Sequence, residues 1–197
     1  MKGYDILDNI EKKIITTAVS LFKKDGYNET SVNKICATCG ITKGTFYYHF
    51  NAKSDLIYRY YEMLYNDILS IMPELIVIKD AKTKLWKLYE YSIDNTVLLT
   101  ASVLNALLIA DAQNGLRNFS PMTGDKVTIS HQTQSKLIHE LIIQAQDEGS
   151  IAKDKNPLIL METYNAVIVG MALDWSSHNG KYDQKEKLKE MFDILFC

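Results

Sequence analysis

Residues Thr30–Leu56 read TSVNKICATCGITKGTFYYHFNAKSDL, and the fold turns on them. Apolar residues fall at Val32, Ile35, Cys36 and Cys39, the spacing of a short helix with one buried face. Gly40 follows at once and supplies the permissive backbone that reverses a chain after a helix end. Ile41 then offers an apolar plug, and Thr42 an N-cap oxygen for the free N–H groups of a second helix. That helix carries Lys43, Gly44, Thr45, Tyr47, Tyr48 and His49 in one polar and aromatic block, with Phe46 and Phe50 assigned to the core. A helix this short is not stable alone. Loaded with donors and held by two phenylalanines, it suits insertion into a DNA major groove.

The run G-I-T-K-G-T-F-Y-Y-H-F-x-x-K-x-x-L, from Gly40 to Leu56, resembles the helix-turn-helix signature of TetR-type bacterial transcriptional regulators. Upstream, Ile14, Ala18, Leu21, Phe22, Gly26, Tyr27, Thr30, Ser31 and Ile35 fall where that family places its first two helices. The resemblance implies an all-α chain in two parts. Residues 1–52 would form a three-helix helix-turn-helix DNA-binding domain, and residues 53–197 a helical effector-binding and dimerisation domain. It further implies a homodimer on a palindromic operator, released by a small-molecule effector whose identity the sequence does not give. An activator, or a regulator answering to a partner protein, stays open beside the repressor.

Position assigns the DNA-facing roles. Lys43 can bond guanine acceptors, and Thr45 can bond a base edge or touch a thymine methyl. Gly44 has no side chain, so the helix backbone can approach the groove closely. Tyr47, Tyr48 and His49 can reach phosphates or bases. Thr30, Ser31, Thr42 and Lys53 sit at or near helix starts, where hydroxyls, free N–H groups and a cation can hold phosphates. The plainer readings are that Thr42 only caps, that Tyr47 half-buries and that His49 is structural. A folding-only helix would have no use for a glycine that costs about 1 kcal/mol there.

Cys36 and Cys39 form a C-x-x-C, which invites a thiol redox or zinc reading. Zinc would want a second ligand pair, which His49 alone does not provide. The strand–helix context of a thioredoxin-type motif is missing. The two cysteines read as core, with thiol sensing as the alternative. No metal and no cofactor is expected. His131, His139 and His178 are scattered without a carboxylate at a general-base spacing, and the sequence holds no Gly-rich phosphate loop and no G-x-S-x-G, so no enzyme is expected.

Composition agrees with a regulator without naming one. Hydrophobic residues make up 47% and charged residues 23%, as in ordinary soluble globular proteins. Net charge is −2, yet residues 1–55 hold eight Lys against six Asp or Glu, a mildly basic head on an acidic body. Three cysteines fit a reducing cytoplasm better than a disulfide scaffold. The N-terminal residues do not read as a secretory signal, and the longest apolar run, Ala166–Leu173, is far short of a membrane span, so neither membrane nor export is expected.

Helices are predicted from Asp8 to Lys24, from Ser54 to Met72 with Pro73 as its stop, and over 81–96, 100–113, 125–148, 157–178 and 183–196. Gly115–Gly124 reads as a loop. The helix over 157–178 is apolar nearly all round, so it must be covered on both sides. With the last helix it could form an isologous four-helix interface through Leu158, Met161, Ile168, Met171, Leu188, Phe192 and Leu195. The alternative is a monomer that buries both helices internally. Trp86, Tyr89, Asn105, Tyr164 and Trp175 are candidate lining for an effector pocket, with ordinary core as the competing reading of each.

Overall fold

The computed structural model describes residues 9–66, 70–113 and 129–197. Ten helices and no strand occur among the described residues. The chain divides into two compact units, Met1–Met63 and Leu64–Cys197. The first extends past the Ala52/Lys53 division read from sequence, because most of the fourth helix packs with the head.

The first unit holds α1 (Asn9–Asp25), α2 (Val32–Cys39), α3 (Lys43–His49) and most of α4 (Lys53–Asn66). Helix α1 turns Ile14, Ile15, Ala18, Val19 and Phe22 inward, while Leu21 is half-buried and Ile10, expected on the same face, is exposed. Ser31 caps α2 by accepting a bond from the Lys34 amide, and Gly40 ends it at φ +68°, a left-handed geometry costly for a side chain. Thr42 caps α3 in the same way through the Thr45 amide. Phe46, Phe50, Leu56 and Ile57 complete the core of the unit. Charged contacts fix α4 on α1, where Arg59 pairs with Glu11 at 3.2 Å and the Lys23 ammonium lies over the Tyr60 ring.

The second unit contains α5 (Met72–Val77), α6 (Ala81–Val97), α7 (Thr100–Gln113), α8 (Ile129–Asp147), α9 (Pro157–Ser177) and α10 (Gln184–Leu195). Pro73 does not stop a helix; it lies in the first turn of α5, where a missing N–H costs nothing. Asp80 caps α6 through the Thr83 amide, and Glu148 of the α8 end accepts the Ala81 amide at 2.8 Å. Helix α6 packs on α8, α7 on α9, and α10 on α9 and α6. The Gly115–Gly124 loop and positions 125–128 lie outside the described residues, as does the side chain of His131.

An aromatic cluster forms the centre of this core. Tyr89 and Tyr164 meet at 4.5 Å between ring centroids, Phe192 and Phe196 at 4.6 Å, and Trp86 leans on Phe192. This corrects part of the predicted dimer face: Leu188 and Phe192 are 0% and 1% exposed, and Met161 is buried with them. They are consumed by the unit itself, as α10 turns that stripe onto α9 and α6. Ile168, Met171 and Leu195 are half-buried, and Leu158 is exposed.

The outward stripe lies beside the predicted one. On α9, Ile159, Thr163, Ala166, Gly170 and Leu173 are exposed at alternating steps of four and three, a heptad seam. On α10 it is continued by Met191, which the sequence also put on the last helix's apolar stripe, and by Ile194, 75% exposed. A groove of about 440 Å³ lined by Lys155, Thr163, Val167, Met191, Ile194 and Leu195 runs between the two helices on this side. Among the described residues α9 is long and apolar enough to cross a bilayer, but it is packed by α7, α8 and α10 as a body helix.

Candidate nucleic-acid interface

Helix α3 presents its polar block outward because Phe46 and Phe50 face in, 0% and 2% exposed. Tyr48 stands 85% exposed and Tyr47 53% exposed, so neither ring is held by the fold's need for burial. Lys43 and Gly44 are exposed as well, and Lys43 forms no ion pair among the described residues. His49 is half-buried, its ring edge-on to Tyr48 at 5.0 Å. The Thr42 and Thr45 hydroxyls meet at 2.9 Å, which fixes both at the start of the helix. Beyond the helix's own backbone, a Cβ added at Gly44 would meet only Thr42 Oγ1, at an ordinary 3.6 Å. The protein leaves that space empty.

Two candidates outside α3 change role. Thr30 is fully buried and its hydroxyl donates to the Gly26 carbonyl at 2.8 Å, so its side chain cannot reach a phosphate. Lys53 is half-buried: its ammonium donates to the Tyr27 and Thr30 carbonyls at 2.7 and 3.0 Å and lies 4.1 Å above the Tyr27 ring. Burial pulls its pKa below the ordinary lysine value, with Glu29 opposing. Ser31 stays exposed at the start of α2. Sequence reasoning missed Lys13, whose ammonium holds the Cys39 carbonyl at 2.9 Å and so supports the C-terminal end of α2. No local motif marks it, since the contact joins positions on two helices.

The C-x-x-C lies inside the same unit. Cys36 and Cys39 are 5% and 3% exposed, and the Cys36 thiol points at the Thr42 carbonyl, 3.8 Å away. Burial, and then the neighbouring Cys39, push the Cys36 thiol above its usual range. The thiolate that a redox sensor needs is therefore disfavoured, and the pair behaves as packing.

The predicted effector residues do not form one lining. Tyr89 and Tyr164 belong to the aromatic core, the Tyr164 hydroxyl donating to the Leu188 carbonyl, and Trp86 is half-buried at its edge. Trp175 donates to the Tyr182 carbonyl at the turn between α9 and α10, while Asn105 is half-buried on α7. Buried uncharged polar side chains that the sequence reading passed over lie between α6 and α8, where Gln134 donates to the Ser92 hydroxyl at 2.9 Å.

A short capped helix with an unburied cationic and aromatic face, carried on a second short helix, is a DNA-reading arrangement. Residues 14–60 match the family described as bacterial regulatory proteins, tetR family. Residues 14–60 thus form a TetR-type helix-turn-helix domain. It is similar to the HTH-type transcriptional regulator UidR of Escherichia coli strain K12, at 25% identity over 155 residues, covering 73% of this chain and 70% of UidR. It is also similar to the uncharacterized HTH-type transcriptional regulator YuxN of Bacillus subtilis, 45% identical over 65 residues, which are 31% of this chain and 22% of that protein. Among solved structures, the TetR-family repressor FadR of Thermus thermophilus, in complex with lauroyl-CoA, superposes with a TM-score of 0.63. That match spans 94% of this chain and 92% of FadR at 15% identity, so it speaks to the shared TetR fold. The head is therefore a helix-turn-helix of the kind these HTH-type transcriptional regulators carry.

Proposed function

We propose that the chain is a homodimeric repressor that reads a palindromic operator and leaves it when a small molecule binds the body. The observation that carries the reading is the outward face of α3, where Lys43, Thr45, Tyr47 and Tyr48 surround a glycine at which an added Cβ would meet only the Thr42 hydroxyl. Lys43 and Thr45 read base edges, while Tyr47, Tyr48 and the Ser31-capped start of α2 hold phosphates. The exposed heptad seam on α9, continued by Met191 and Ile194 on α10, supports a two-fold interface between copies. Two-fold pairing sets two recognition helices about one DNA turn apart. An effector that binds better to another arrangement of the body draws the population away from DNA. Because the FadR of the superposed structure holds lauroyl-CoA, acyl-CoA thioesters are the first compounds to test.

Selection of bound sequences from a random DNA pool tests the reading. The expected outcome is an enriched palindrome with half-sites about one turn apart, lost or blurred at one position of each half-site in Lys43→Ala. A folded dimer that enriches nothing, in the presence or absence of acyl-CoA, would refute it.

A further inference from the structure

Lys53 opens α4, yet its ammonium is spent on a different part of the head. Two of its three donors go to the Tyr27 and Thr30 carbonyls, and the charge lies over the Tyr27 ring. Both carbonyls belong to the turn between α1 and α2. That turn is tied at its other side: the Thr30 hydroxyl donates to Gly26, the Thr30 amide to Tyr27, and the Tyr27 ring stands edge-on to Phe22 at 5.0 Å. Ser31, the cap of α2, follows Thr30 directly. One cation therefore joins the end of α1, the turn, the first turn of α2 and the start of α4. A phosphate ligand must keep its charge available at the DNA surface. Here a half-buried ammonium already holds two carbonyls, and a charged donor gives up such bonds at high cost.

We propose that Lys53 is a positioning residue and not a phosphate ligand: its ammonium locks the turn from Tyr27 to Thr30, and with it the first turn of α2, to the start of α4. The consequence for DNA rests on the regulator reading above. If α4 shifts at its start, Lys53 carries the shift to the Ser31 end of α2, and the phosphate-holding edge moves with it.

The test uses the full chain and two readouts, amide hydrogen exchange over Thr30–Ile35 and DNA affinity across a salt series. The DNA probes are the operator selected from the random pool and a random duplex. Lys53→Met keeps the apolar stem and removes the charge. Exchange at the Lys34 and Ile35 amides should then quicken roughly tenfold or more. Affinity should fall roughly tenfold on both duplexes, since the phosphate-holding edge serves both, with the salt slope as in the parent, and Lys53→Arg should recover both readouts. If Lys53→Met leaves exchange alone and flattens the slope by about one, Lys53 is a phosphate ligand and the proposal fails. Should Lys53→Met not fold, Tyr27→Leu keeps the charge and removes the ring beneath it; faster exchange there supports the proposal, and parent-like exchange refutes it. A parent that selects no DNA sequence would end the regulator reading, while the exchange measurement would still decide the role of Lys53.

Discussion

Replacing Gly44 with alanine adds one methyl to the outward face of α3 and sets two effects against each other. Within the protein the added Cβ meets Thr42 Oγ1 at 3.6 Å, an ordinary contact, and Gly44 does not adopt a positive φ. Alanine is the better helix former by about 1 kcal/mol in a helix interior. Gly44 is only the second residue of α3, so that figure is an upper limit and the stability of the head should rise slightly or stay level. Against DNA the sign reverses. If the backbone of α3 lies against the groove at this point, the methyl must push it away, at a cost comparable to overpacking a core, about 1–3 kcal/mol. Operator affinity should then drop roughly tenfold or more. Urea unfolding followed by the amide exchange of α3 reports the first effect, and operator titration by fluorescence anisotropy reports the second. A stabilised Gly44→Ala that binds operator as tightly as the parent would show that the open space is not used by DNA.

Three further outcomes follow from the geometry. Ile194→Asp, at a side chain 75% exposed in the single chain, should give a folded monomer by light scattering with operator binding much weakened; a stable dimer would move the interface off the α9–α10 seam. A disulfide reagent should label one thiol per native chain rapidly, the exposed Cys197, and three after unfolding, and peroxide should leave operator affinity unchanged; rapid labelling of Cys36 would reopen the sensor reading. Burial and a 2.6 Å bond to Asp174 push the Tyr182 hydroxyl from 10.0 up to about 12. A group held neutral in this way contributes stability in full below its unfolded value and loses it as pH rises through the folded one. Alkaline destabilisation between pH 10 and about 12 should therefore weaken in Tyr182→Phe, read from denaturant midpoints at several pH values.

How far the chain could be read depended on whether a residue's partner is local. Gly40 and Thr42 act within a few positions of themselves and cap as their neighbours predict, and Ser31, read only as a phosphate-holding hydroxyl, caps α2 as well. Phe46 and Phe50 also follow from spacing, since one turn of helix sets which way they face. Thr30 and Lys53 looked like phosphate ligands because helix starts favour them. The Thr30 hydroxyl turns back to the Gly26 carbonyl, and the Lys53 ammonium goes to the Tyr27 and Thr30 carbonyls, whose approach depends on how α4 docks. The body hid its outer face for another reason. Helix α9 is apolar on all sides, so its pattern does not say which side the protein covers, and the exposed seam shows only once α7, α8 and α10 are in place. On α10 the difference is small: Phe192 turns inward while the adjacent Met191 turns outward.

The short helix α3 divides its seven residues between two unrelated tasks. Phe46, with Phe50 just beyond the end, anchors it, and the remaining outward positions owe almost nothing to the core. Sequence drift at Lys43, Tyr47 and Tyr48 can therefore proceed with the scaffold unaltered. A lineage can acquire a new target site, or an engineer can install one from a library at those three positions, without first having to repair the fold.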